Sequence, residues 1–263
     1  MDSPIVIGIA ASRAGSGKTT VAQALVNNAG FVRLPMAEPL KRIGTVILRE
    51  AGVSELDARR FLYHDRAVVI PQVGVSGRHL LQTLGTDWGR RLISPHLWTA
   101  IWEQSLQELC RAAADGSARE VRVVVDDVRF PGEAEVIRKV GGVLWMIERP
   151  RTREEGRREL SRRFSPARLL RSPKQLLPWK LFAPLHPSEG GMNSYRPFQA
   201  RLRNDGTIHD LLEQVWEQAQ RLGIRPTGLG PFDSVPAEQS SDCSLLPHGT
   251  CSVVPFRRPD GPA

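Results

Sequence analysis

The chain has 263 residues, 41% hydrophobic and 24% charged, which suits one α/β domain with insertions and is too little for two large ones. Its formal charge is +8, but residues 149–174 alone hold ten Arg or Lys against three Glu, so the excess belongs to one segment and does not make the whole surface a nucleic-acid binder. No apolar run approaches the roughly 18 residues of a membrane span, and the N-terminus does not read as a secretory signal. Cys110, Cys243 and Cys251 form neither a disulfide framework nor a metal pattern, so the expected compartment is a reducing cytoplasm.

Pro4 to Ala10 is almost continuously apolar, the signature of a parallel strand buried on both faces. A helix is predicted from Gly17 to about Asn28, a short strand over Phe31–Leu34, and a helix over Glu38–Ala51 carrying Leu40, Ile43, Val46, Ile47 and Leu48. Ser54 starts a third helix with Asp57 as its capping partner. A helix through Leu80, Leu81 and Leu84 follows, and Ser94-Pro95 opens another that runs to about Ala114. Val121 to Val125 is a strand ending in Asp126 and Asp127. Pro131 opens a helix that Gly141-Gly142 stops, and Val143–Ile147 is a strand. After a basic, proline-containing interval a closing helix is predicted from Asn204 to about Gly223. The expected organisation is one α/β domain over residues 1–225, with a basic insertion at about 150–190, and a Pro/Gly/Ser-rich disordered tail over 226–263. Strands alternating with helices predict an α/β fold: a central parallel sheet flanked by helices.

The turn after the first strand reads Ser12-Arg13-Ala14-Gly15-Ser16-Gly17-Lys18-Thr19-Thr20. It fits the phosphate-loop pattern G-x-x-x-x-G-K-[ST] except that Ser12 replaces the first glycine. Glycines let backbone N–H groups turn toward phosphate oxygens, Lys18 would reach the β- and γ-phosphates, and the Thr19 hydroxyl would ligate Mg2+. Residues Arg13 to Thr20 are therefore the expected ATP-binding loop. The metal's carboxylate is expected at the end of a neighbouring strand, where Asp126 and Asp127 both stand; alternation does not choose between them.

Gly77–Trp98, "GRHLLQTLGTDWGRRLISPHLW", and Val123–Pro150, "VVVDDVRFPGEAEVIRKVGGVLWMIERP", resemble blocks of the phage-type deoxynucleoside monophosphate kinases. "MAEPLK" (36–41), "HPSE" (186–189) and "NDGTIHDLLEQV" (204–215) resemble further landmarks of that family in the same order. The resemblance implies a P-loop kinase fold with an enlarged basic lid insertion. It also implies transfer of the γ-phosphoryl of ATP, with Mg2+, to a deoxynucleoside 5′-monophosphate (dNMP) in the host cytoplasm. Such a reaction needs charge neutralisation and alignment more than a base, and arginine forks suit it. Arg90 is the first candidate for the acceptor phosphate, Arg78 the second, and Arg129 for bridging toward the transferring group. Gln82 and Asp87 are candidates for reading base or sugar. Arg149 leads the lid-arginine candidates, followed by Arg151 and Arg153.

Trp88, Trp98 and Trp102 are better read as core than as base-stacking residues, and Lys41 reads as an exposed helix lysine. His186, Ser188, Glu189 and the Asp65-Arg66 pair receive no role. Nucleic-acid contact is open only through the basic insertion, and the oligomeric state, homodimer included, is not set. The competing readings are another small-molecule P-loop kinase, which the 77–98 block disfavours, a DNA-linked ATPase, for which no motor motif is present, and a scaffold without catalysis, against which Lys18, Thr19 and Asp127 speak.

Overall fold

A computed structural model describes residues 3–13, 15–115, 120–150, 192 and 195–226. Five strands form one parallel sheet: β1 (Ile5–Ala11), β2 (Val32–Arg33), β5 (Arg122–Val125), β6 (Val143–Glu148) and β7 (Ala200–Arg203), in the order β2-β5-β1-β6-β7. The central strands are apolar on both faces because helices cover both. Ile7, Ile9, Val124, Trp145 and Ile147 pack with α1 (Lys18–Ala29) and α7 (Ile208–Arg221). The alternate residues Val6, Ala10, Val123, Val125, Leu144 and Met146 pack with α5 (Leu97–Asp115) and α6 (Pro131–Lys139). The expected α/β fold with a helix-flanked parallel sheet is the one observed.

The chain from β1 passes over β5 to reach β2, whereas β5 crosses β1 to reach β6. The order of connections therefore reverses around β1, and a crevice at the carboxyl ends of the strands is the natural binding position. Between β2 and β5 lies an insertion with its own small core. It comprises α2 (Glu38–Glu50), α3 (Glu55–Arg59), a hairpin of β3 (Val69–Ile70) and β4 (Val75–Ser76), and α4 (Gly77–Gln82). Leu48, Val53, Ala58, Phe61, Leu62 and Ile70 are buried together there, apart from the two clusters on the sheet.

Several boundaries differ from the sequence reading. Asn204 extends β7, its N–H donating to the Glu148 carbonyl at 2.8 Å, so α7 starts four residues later, where Thr207 and Asp210 cap each other's backbone amides. β7 and the β3–β4 hairpin were not expected. Ser54 caps α3 through the Asp57 amide as anticipated, but the chain then widens into a π-helical turn over Arg60–His64. A second π-helical segment, Thr83–Ile93, continues α4. Ser94 precedes a turn, and α5 begins only at Leu97. On α2, Ile43, Val46 and Ile47 are exposed, and Leu48 points into the core. The basic insertion beyond Pro150, including Arg151, Arg153, His186, Ser188 and Glu189, and the tail from residue 227 lie outside the described residues, as does Ala14.

Candidate active site

The loop between β1 and α1 sits at the crevice. Gly15 and Gly17 adopt φ of +73° and +94°, which a side chain would strain. Around Gly17 the space is also closed: a Cβ would stand 3.0 Å from Asn204 Nδ2 and 3.1 Å from Leu211 Cδ2. The loop is braced from three sides. Buried Ser16 donates its hydroxyl to the Arg13 carbonyl at 2.8 Å, Asn204 donates to the Ser16 carbonyl at 3.1 Å, and Arg149 Nη1 donates to the Gly15 carbonyl at 2.9 Å. Helix α1 then begins with no side chain capping it, leaving its first N–H groups available to an anion. Thr19 is exposed and Thr20 and Lys18 are partly buried in that first turn.

Asp126 and Asp127 follow β5 at the same end of the sheet, and the structure gives them different work. Asp126 is buried and takes a two-pronged pair from Arg33 of β2, at 2.7 and 3.0 Å. Asp127 accepts the amides of Met36 and Ala37 at 2.8 and 2.9 Å, fixing the entry to α2. Burial and the Asp126 charge push the Asp127 carboxyl above its ordinary range, against the two amides and Arg129. Neither aspartate caps α6. That task belongs to Glu133, whose Oε2 accepts the amides of Arg129 and Phe130 at 2.7 and 3.1 Å.

Arg90 is held by the same buried Glu133. Its Nη2 donates to Oε1 at 2.5 Å, and its guanidinium lies 3.9 Å from the Phe130 ring centroid. Arg78, the second residue of α4, has an exposed side chain, and its amide donates to the Arg66 carbonyl at 2.7 Å. Arg66 lies near enough to Arg78 and Arg129 for their charges, with burial, to pull its guanidinium below the usual arginine range. Burial and Arg129 likewise lower Lys18, which Asp126 and Asp127 oppose. Arg129 is thus a common neighbour of Lys18 and Arg66. Among the described residues, the side chains of Lys18, Arg66 and Arg129 make no hydrogen bond or ion pair. Asp126 and Asp127 are the negative charges near Lys18, and Asp127 also feels Arg129, but no direct pair joins them to these cations.

Other expected positions lie elsewhere. Gln82 ends α4 half-buried, and Asp87 forms an i,i+4 pair with Arg91 at 3.0 Å. Trp98 and Trp102 are core residues whose indoles donate to the Gly85 and Leu34 carbonyls, whereas Trp88 is 41% exposed and is not core. Lys41 is not the exposed lysine expected. It is 17% exposed, lies 4.3 Å above the Tyr63 ring centroid and pairs with Glu38, which also accepts the Tyr63 hydroxyl. On the far side of the loop a cleft of about 510 Å³ is lined by Ser12, Arg13, Glu148, Arg149, Arg201 and Arg203, among others. Arg33, Arg66 and Glu133 were not among the expected site residues. Glu133 stood in a quoted block, but its reach to Arg90 spans 43 residues of sequence.

No family model matches the chain. It is 26% identical over 216 residues to a protein of Acanthamoeba polyphaga mimivirus named "Putative deoxynucleotide monophosphate kinase", an alignment covering 80% of this chain and 94% of the viral one. This chain is similar to viral nucleotide kinases. A second relative, the deoxynucleoside-5′-monophosphate kinase of Escherichia phage T5, is 38% identical over 65 residues, 25% of this chain and 22% of the phage protein. Among solved structures, a sugar kinase from Janibacter sp. aligns over 84% of this chain and 95% of its own, with 15% identity and a TM-score of 0.36.

Proposed function

We propose that the chain transfers the γ-phosphoryl group of ATP to a deoxynucleoside 5′-monophosphate, giving ADP and the deoxynucleoside diphosphate (dNDP) used for DNA precursor synthesis. The observation that carries this reading is the gathering of Lys18, Arg129 and Arg66, none of them in a hydrogen bond or ion pair among the described residues, beside the uncapped N-terminus of α1. The relatives' names support the substrate class. Residues 13–20 cradle the donor phosphates, Lys18 neutralises charge on the group in transit, and Arg129 stands between the donor loop and the insertion. Arg149, just past β6, braces the donor loop and lines the cleft of about 510 Å³ beside it. Arg90, set by Glu133 and Phe130, meets the acceptor phosphate, with Arg78 beside it. Gln82 and Asp87 remain the candidates for base or sugar.

The donor set suits Mg2+ held mainly by phosphates and water, since Thr19 offers an exposed hydroxyl and Asp127 keeps lone pairs beyond its two amide bonds. Asp126 is the weaker ligand because Arg33 already neutralises it. When bound, the metal would neutralise donor phosphate charge.

Among the described residues at the site, no acid is poised as a base. Asp126 faces Arg33, Asp127 holds two amides, and Glu133 holds Arg90 and two more. The acceptor supplies its own nucleophile, since a phosphate monoester loses its second proton at about pH 6. Accordingly, kcat/KM for the acceptor falls as pH drops below about 6. Asp127 contributes in the same direction, because its raised carboxyl takes up a proton sooner on acidification than an ordinary aspartate and then holds the Met36 and Ala37 amides less strongly. A rate profile compared with the acceptor's own phosphorus titration checks this; an acid limb that does not include the nucleotide's pKa defeats the argument.

The decisive assay offers ATP and Mg2+ with dAMP, dCMP, dGMP, dTMP or a ribonucleotide, beside DNA-only and no-acceptor reactions, and separates the products by chromatography. Formation of a dNDP supports the proposal. ADP release that rises with DNA and yields no diphosphorylated acceptor replaces it with a nucleic-acid-linked ATPase.

A further inference from the structure

Arg66 is the one cation of the cluster for which neither the sequence nor the relatives supply a role, and its setting is unusual. Its main chain is fixed at both ends: its N–H donates to the His64 carbonyl at 3.0 Å, and its carbonyl accepts from Arg78 N–H at 2.7 Å. Gly77 presses directly against the same turn, so closely that a Cβ there would stand 2.1 Å from the Phe61 carbonyl oxygen and 3.7 Å from Arg66 Cα. The adjacent carboxylate does not neutralise Arg66, because Asp65 pairs with Arg60 at 3.3 Å. The side chain is half-buried, lies close to Arg78 and Arg129, and makes no hydrogen bond or ion pair among the described residues.

Holding a guanidinium partly out of water beside two like charges disfavours the empty protein. A dianion placed there reverses the sign of each of those contributions, and a guanidinium fork matches two phosphate oxygens at once. The position also separates the two ends of the reaction. Arg66 belongs to the turn beside Phe61 and Leu62, in the insertion with its own core, whereas the donor loop belongs to β1 and α1.

We propose that Arg66 grips the 5′-phosphate of the acceptor together with Arg78 and thereby makes that phosphate obligatory, selecting a nucleoside monophosphate over a nucleoside. This rests on the kinase reading above. Arg66 contacts only the phosphate, so its contribution vanishes for a ligand that lacks one.

The test compares wild type, R66Q and R66K on whichever monophosphate the assay above shows to be accepted, measuring kcat, KM for it and for ATP, the inhibition constant of the matching nucleoside, and the melting temperature without ligands. R66Q should raise KM for the monophosphate on the order of 10- to 100-fold, the loss of a charge-assisted hydrogen bond to an ionised group. KM for ATP and inhibition by the nucleoside should stay unchanged, R66K should recover part of the loss, and the melting temperature should not fall. Equal weakening of the monophosphate and the nucleoside, or a rise in KM for ATP instead, overturns the assignment. If wild type forms dNDP and R66Q equals it, only the Arg66 role is lost; if wild type forms none, the kinase reading falls first.

Discussion

Replacing Lys18 by methionine lowers kcat for phosphoryl transfer on the order of 10²- to 10³-fold, the usual loss when one preorganised charge donor is removed. The same change leaves the nucleotide-free protein as stable as before or more so. Lys18 is partly buried, close to Arg129, and without a hydrogen-bond partner among the described residues, so on the proposed reading its charge serves the phosphates and removing it costs the empty fold nothing. Its pKa lies below the ordinary lysine value of 10.5 because burial and Arg129 outweigh Asp126 and Asp127. Between the lowered folded value and 10.5 the unfolded chain therefore binds more protons than the folded one, and stability contributed by this group rises with pH across that window. K18M removes that rise. Urea unfolding at several alkaline pH values, beside steady-state kinetics, measures both halves. A large fall in stability with K18M would show that Lys18 supports the fold and would undo the assignment.

Gly77→Ala carries the largest expected cost to the fold, about 3 kcal/mol, because the added carbon meets backbone rather than a side chain that can turn away. For a domain of this size that is roughly 6–12 °C in melting temperature. Relief requires α4 to retreat from the Phe61–Arg66 turn, breaking the Arg78-to-Arg66 backbone bond. Surviving folded protein should show a raised KM for the acceptor and an unchanged KM for ATP. A variant with the wild-type melting temperature would mean that the close approach is relaxed in solution.

What the sequence makes legible here follows from how each signal is carried. β1, β5 and β6 are buried on both faces, so their apolar runs stand out, and Gly17, Pro131 and Gly141-Gly142 punctuate the helices between them. β7 is written only as Ala-Arg-Leu-Arg, with Ala200 and Leu202 buried, and it is recognisable as a strand through its pairing with β6. The two-residue strands of the hairpin carry less signal still. The loop at 12–19 is a contiguous pattern and could be read directly. The cation cluster is not contiguous, since residues 66, 78 and 129 come near one another only after the insertion has packed. Lys41 misled because a lysine on an amphipathic helix is usually exposed, and only the fold brings Tyr63 over it. The two aspartates were legible as a pair, but their division of labour depends on Arg33 and on the Met36 and Ala37 amides, roughly ninety residues earlier.

The stretch from Asp127 to Glu133 is fastened to the insertion at both of its ends: Asp127 holds the amides where α2 begins, and Glu133 holds Arg90 in the π-helical segment. Both ties belong to the turn that also carries Arg129, so that turn acts as a clasp: the position of α2 and the position of the Arg90 segment are set by one short stretch of chain, and loosening either carboxylate changes what the other can hold.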